Sequence, residues 1–106
     1  MEVLHFIYLP LAEGILTDDE WAVVEWSLIE NPRSGVVVPG TDGVRKVRVA
    51  FAGRGKWGSA RVVYLYINAR GRVYFLFAYA KNKQEALTPE QKRQVRRLVA
   101  TLKEER

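Results

Sequence analysis

The chain contains no cysteine and one histidine in 106 residues. Without thiols there is no disulfide, no thiolate zinc site and no cysteine nucleophile. The lone histidine, His5, lies in the apolar stretch VLHFIYL, so no two-histidine metal pattern exists and no metal site is expected. A serine triad has no support either, with Ser27 in a helical pattern and Ser59 in a loop. No apolar run is long enough to span a bilayer; the longest, VVYLYI and VYFLFAYA, suit buried strands. The opening residues, MEVLHFIYLPLAE, carry no positive charge ahead of their apolar residues, which predicts no secretory signal and a cytoplasmic location.

Charge of one sign is also missing over long stretches. Residues 1 to 32 hold seven acids and no Lys or Arg, a net of −7. Residues 33 to 83 hold eleven Lys or Arg against one acid, Asp42, a net of +10. Residues 84 to 106 contribute +2, and the whole chain carries +5. From 43 to 83, 41 residues pass without a carboxylate. Ordinary surfaces intersperse the two signs, so this segregation predicts one basic face built for a polyanion. A solvated surface that happens to be basic is the plainer alternative.

The length and a 48% hydrophobic content fit a single domain over 1–106 with a core that needs no metal or disulfide. VLHFIYL reads as a first strand or extended arm. TDDEWAVVEWSLIENP reads as a helix, opened by a Thr17–Glu20 capping box and closed before Pro32. Trp21, Val24 and Leu28 share one helical face, with Trp26 and Ile29 available to widen it. VVVPGTDGV gives a short strand and a turn. In RKVRVAF, Val47, Val49 and Phe51 share one face while Lys46 and Arg48 share the other. ARVVYLYIN alternates as a strand, ARGR turns, and VYFLFAYA, apolar on both faces, is expected at the sheet centre. LTPEQ starts a last helix with Thr88 as cap and Pro89 first; Val95, Leu98, Val99 and Leu102 form its stripe. The expected fold is α+β, an antiparallel meander with a helix before and after it.

GRGKWGSAR, residues 53 to 61, has the Gly-x-Gly-x-x-Gly spacing of a nucleotide loop. A dinucleotide site needs a helix after the loop and an acid about 20 residues further on. Here a strand follows, and no acid occurs between Asp42 and Glu85. The glycines fit a hairpin turn instead. That reading leaves the accompanying cations unexplained. Lys46 and Arg48 come from one strand, Arg54 and Lys56 from the loop, Arg61 from the next strand, and Lys81 and Lys83 follow the central strand. In a meander the loop and the end of VYFLFAYA return to one end of the sheet, bringing Tyr79, Lys81 and Lys83 near Arg61 and Lys56. Cations neutralise phosphates, and Trp57 or Tyr79 offers a stacking surface for an unpaired base. Core packing is the alternative for Tyr79. Such a site can also cleave RNA without histidine, the 2′-hydroxyl attacking the adjacent phosphate while Arg and Lys stabilise the developing charge. A lysine among other cations has its pKa lowered and can accept a proton.

Together, LIENPRSGVVVPGTDGVRKVRVAFAGRGKWGSARVVYLYI and AYAKNKQEALTPEQ resemble the RelE/ParE superfamily of type II toxins. The pattern NP-x-x-G…PGT-x-G-x-RK-x-R…GRGK-x-G-x-x-R is similar to the HigB-like branch, and the likeness covers roughly residues 16 to 100. The resemblance implies a small antiparallel or mixed sheet flanked by an N-terminal helical region and a C-terminal helix. It implies a metal- and cofactor-independent endoribonuclease that cuts mRNA, usually on the ribosome, and an antitoxin partner, often of helix-turn-helix type. By the same resemblance Arg61, Lys81, Lys56 and Tyr79 are the catalytic candidates, and Lys46, Arg48 and Lys83 RNA-binding ones; Arg54 and Trp57 join the RNA-binding set from the reading of the loop itself. The chain departs from the pattern at Trp57, where relatives often carry a base, at Ser59 and Asp42, where glycine is common, and in a shorter first helical segment. A non-catalytic RNA- or ribosome-binding module on the same fold is the rival reading, and a purely protein-binding basic face is a second.

Overall fold

The first helix, α1 (Asp18–Glu30), starts at Thr17, whose hydroxyl accepts from the Glu20 amide at 3.2 Å while the Glu20 carboxylate accepts from the Thr17 amide at 2.9 Å. The last, α2 (Pro89–Glu104), has the same reciprocal cap between Thr88 and Gln91, at 3.1 and 3.0 Å. Each cap satisfies two amides that a helix start leaves without partners. The computed structural model describes residues 3–51 and 58–104. β1 (His5–Tyr8) precedes α1, and between the helices run β2 (Val36–Val37), β3 (Arg45–Ala50), β4 (Ser59–Ile67) and β5 (Arg72–Ala80).

These strands form one sheet in the order β1-β5-β4-β3-β2. β2 to β5 are the expected antiparallel meander. The first segment does not stay an arm: β1 pairs parallel with β5, His5 to Arg72 through Tyr8 to Phe75, so the sheet is mixed. Aromatic contacts accompany this pairing. Tyr8 meets Trp21 edge-on and Phe75 at a tilt, each with ring centroids 4.8 Å apart, and Phe6 stacks on Phe75.

The sheet is covered on both faces, as the apolar β5 predicts. On one side Trp21, Val24 and Leu28 of α1 pack on Val49, Val62, Tyr64, Val73, Phe75 and Ala78. On the other, Val95, Val99 and Leu102 of α2 pack with Val63, Leu65, Tyr74, Leu76 and Tyr79. Strict alternation would put Tyr79 on the α1 side, with Val73 and Phe75. The β4–β5 register shifts at Val63/Tyr64, where Phe77 and Phe75 are the partners and Leu76 is the extra residue. This bulge turns Tyr79 to the α2 side.

The motif glycine Gly35 is explained by close packing. A Cβ there would lie 2.7 Å from the Tyr64 hydroxyl and 2.9 Å from the Lys46 carbonyl. The same hydroxyl donates to the Pro32 carbonyl at 2.8 Å and accepts from the Gly35 amide at 3.0 Å. Arg45 adds bonds to the carbonyls of Arg33 and Gly35. The NPRSG loop is thereby tied to β3 and β4. In the turn after β2, Asp42 adopts a positive φ of 62°, a conformation Asp tolerates better than most side chains, and Lys103 of α2 holds its carbonyl and carboxylate.

One expectation fails. Trp26 and Ile29 do not widen the buried face of α1; they are 67% and 49% exposed. Trp26 lies five residues past Trp21, which turns it about 140° around the helix axis. Trp21→Ala is expected to cost about 3–5 kcal/mol in a denaturant melt. Trp26→Ala should stay within about 0.5 kcal/mol of the parent.

Candidate nucleic-acid site

β3, β4 and β5 bring three predicted residues into register: Arg48 lies opposite Arg61, and Arg61 opposite Tyr79. Side chains directly opposite one another on neighbouring strands point to the same side. The row therefore lies on the α2 side of the sheet, at the end where β4 begins. Two residues along, Lys46 pairs with Val63 and Val63 with Phe77, which adds a fourth predicted residue to this face. Arg48 is exposed; Lys46 and Arg61 are half-buried.

The Arg61 guanidinium is steered from its own strand, donating to the Ser59 hydroxyl at 2.9 Å and the Ala60 carbonyl at 3.4 Å. Lys81 continues the ladder past β5, its amide donating to the Ser59 carbonyl at 2.8 Å. Its ammonium bonds the Glu85 carboxylate at 2.6 Å and the Glu85 carbonyl at 3.3 Å. The bond to Lys81, then its charge and that of Arg61, hold the Glu85 carboxyl below its ordinary value of 4.5. Glu85 is therefore a carboxylate throughout the neutral range.

Tyr79 is 3% exposed, and its ring tilts against Phe77 at 6.0 Å. So covered a ring leaves no open face for a base, which favours the packing reading over stacking. Its hydroxyl is buried with no hydrogen-bond partner among the described residues. Burial raises its pKa; the charges of Arg61 and Lys81 oppose the rise and that of Glu85 adds to it. A buried hydroxyl without a partner forfeits about 1–3 kcal/mol.

Lys83 lies in the turn beyond β5, exposed, with its amide bonded to the Ala80 carbonyl. Arg54, Lys56 and Trp57 lie outside the described residues. His5 pairs with Arg72, at the opposite end of β5 from Tyr79. No group of three His, Cys, Asp or Glu arranged to hold a metal occurs among the described residues. None of their helices is long and apolar enough to cross a membrane. A cavity of about 510 Å³ on the α1 side is lined by Tyr8, Trp21, Glu13, Asp18 and Glu25, acids of the wrong sign for phosphate.

Two neighbours of the row escaped the sequence reading. Glu85 is the first carboxylate after the acid-free stretch and sits four residues after Lys81, a spacing that pairs charges when the chain turns between them. Ser59, expected in a loop and set aside as a nucleophile, is instead the first residue of β4 and a partner of Arg61. Arg45, by contrast, shares the RK-x-R motif yet serves the NPRSG loop rather than the row.

The row can bind a phosphate chain through Lys46, Arg48, Arg61 and Lys81, and can stabilise charge developing on one phosphate. Two tyrosine substitutions separate support from site. Tyr64→Phe strips partners from a buried amide and a carbonyl and should cost about 1–3 kcal/mol. Tyr79→Phe removes a hydroxyl with no partner among the described residues and should range from neutral to about 1 kcal/mol stabilising. Equal losses in the two denaturant melts would mean that the Tyr79 hydroxyl has a partner. A family model described as the RelE toxin of the RelE / RelB toxin-antitoxin system matches residues 39–105, which span β3, β4, β5 and α2.

Proposed function

The chain belongs to the RelE toxin family, the toxin half of a toxin–antitoxin pair with a cognate antitoxin as its partner, and from that premise we propose that it is a metal-independent endoribonuclease cutting mRNA on the ribosome in the cytoplasm. The observation that carries the reading is the Arg48–Arg61–Tyr79 row with Lys81 beside it. Arg61 and Lys81 lie close enough to act on a buried hydroxyl that has no partner among the described residues, and Arg48 adds a third cation to the row. In this reading a scissile phosphate has its charge met by Arg61 and Lys81, and one oxygen is met by Tyr79 once the groups covering its hydroxyl give way. Lys46 and Arg48 hold the flanking chain. Arg54, Trp57 and Lys83 are assigned further RNA contacts, and Lys56 a part in the chemistry, from the sequence pattern.

The reaction is attack of the RNA's own 2′-hydroxyl on the adjacent phosphate, giving a 2′,3′-cyclic phosphate and a 5′-hydroxyl. Arg61 contributes most, because stabilisation of charge that appears only in the transition state accelerates the chemical step. The GRGK-x-G-x-x-R pattern supports the HigB-like branch, and with it an antitoxin of helix-turn-helix type.

The test is translation in a cell-free extract with the purified protein, followed by primer extension on the message. Wild-type protein is expected to give discrete cuts, and Arg61→Ala should weaken them at least about 100-fold. Blocked translation over an intact message would instead make the protein a binding module on the same fold.

A further inference from the structure

Transfer of the phosphate needs a group to take the 2′-hydroxyl proton and a group to give one to the departing 5′-oxygen. The described part of the row offers few acceptors. Tyr79 is a buried phenol with a raised pKa, and His5 lies at the far end of β5. The cations Lys46, Arg48 and Arg61 bind charge. Glu85 is different in kind: an ionised carboxylate bonded to Lys81 at 2.6 Å and 88% exposed, so RNA can reach it. Its charge is felt at Tyr79, and the charge of Arg61 is felt at Glu85. It therefore stands within electrostatic reach of the row as well as in contact with Lys81.

Building on the ribonuclease reading, we infer that Glu85 is a catalytic residue, the proton acceptor of an acid–base pair with Lys81. As the 2′-oxygen bonds to phosphorus and the bond from phosphorus to the 5′-oxygen breaks, the Glu85 carboxylate takes the 2′-hydroxyl proton. The Lys81 ammonium gives a proton to the 5′-oxygen. Glu85 then holds one proton more and Lys81 one fewer. Transfer of that proton across their contact restores the ion pair with no outside acid or base. Arg61 carries the charge on the phosphate throughout, which keeps its role separate from proton transfer.

A surface ion pair with no role in the chemistry makes a different forecast, because such pairs contribute little to stability and their loss is barely felt. It also leaves Glu85 as a competitor for Lys81, so its removal would tighten RNA binding and leave or raise the rate. The experiment is single-turnover cutting of a message on programmed ribosomes by the whole protein, with Glu85→Gln, Glu85→Asp and Glu85→Ala. Thermal melts of each variant check folding, and binding is measured separately on RNA with 2′-deoxy substitutions that block cutting. Glu85→Gln should fold normally, bind RNA at least as tightly and cut at least about 100-fold more slowly. Glu85→Asp should retain part of the rate, and added formate should recover part of it for Glu85→Ala. Cutting by Glu85→Gln within about threefold of wild type would overturn the assignment while leaving the ribonuclease reading intact, and so would a loss traced wholly to weaker binding. A wild-type protein that leaves the message whole would overturn both.

Discussion

One extra residue in β5, Leu76, decides which side chains of the site face the same way. The register shift opposite Val63/Tyr64 turns Tyr79 from the α1 side to the α2 side, where Arg61 and Arg48 already point. Without it Tyr79 would join Phe75 beneath α1 and the row would lose its hydroxyl. The shift is held in place by packing on both faces. Leu76 is buried among the α2-side residues, and Phe75 is locked by Phe6, Tyr8 and Trp21 on the other side. A slip by one residue would expose both sets. The site thus inherits its geometry from the core.

The sheet also separates two kinds of surface. Five of the acids in the first 32 residues lie on α1, on one side. Lys46 and Arg48 of β3, Arg61 of β4 and Lys81 after β5 gather on the other. A phosphate chain therefore meets attraction from the row without a carboxylate from α1 beside it. Glu85 is the acid in contact with a cation of the site, while Asp42 and Glu90 pair with Lys103 and Arg93 of α2, and its contact with Lys81 makes it the natural place to look for proton transfer.

Much of this was legible in the sequence, for reasons that differ by residue. Both capping boxes follow from local chemistry, since Thr and Glu or Gln at that spacing satisfy helix amides wherever they occur. The two faces of β4 follow from its alternation, and the burial of β5 from its unbroken apolar run. Arg61, Tyr79 and Lys81 meet because antiparallel strands return to the same end. What stayed hidden depends on tertiary choices. Trp26 looks like core by composition but is exposed, because Trp21, Val24 and Leu28 already fill the contact. The parallel pairing of β1 rests on aromatic packing between segments some 70 residues apart, which local pattern cannot show. The bulge rests on a single inserted residue that leaves hydrophobicity unchanged. Arg45 and Lys46 are adjacent bases with opposite assignments, separable only once the strand faces are known.

The account comes down to cations in one cross-strand row contacting an RNA backbone. The most direct measurement is the salt dependence of binding to an RNA whose cutting is blocked by 2′-deoxy substitution. For single strands, the slope of log affinity against log salt changes by about 0.7 for each phosphate contact. Arg48→Ala and Arg61→Ala should each flatten the slope by about that amount, while Arg93→Ala, which loses only a base already paired with Glu90 on α2, should leave it unchanged. Equal slopes for all three variants and the parent would contradict the account, because the row would then carry no phosphate.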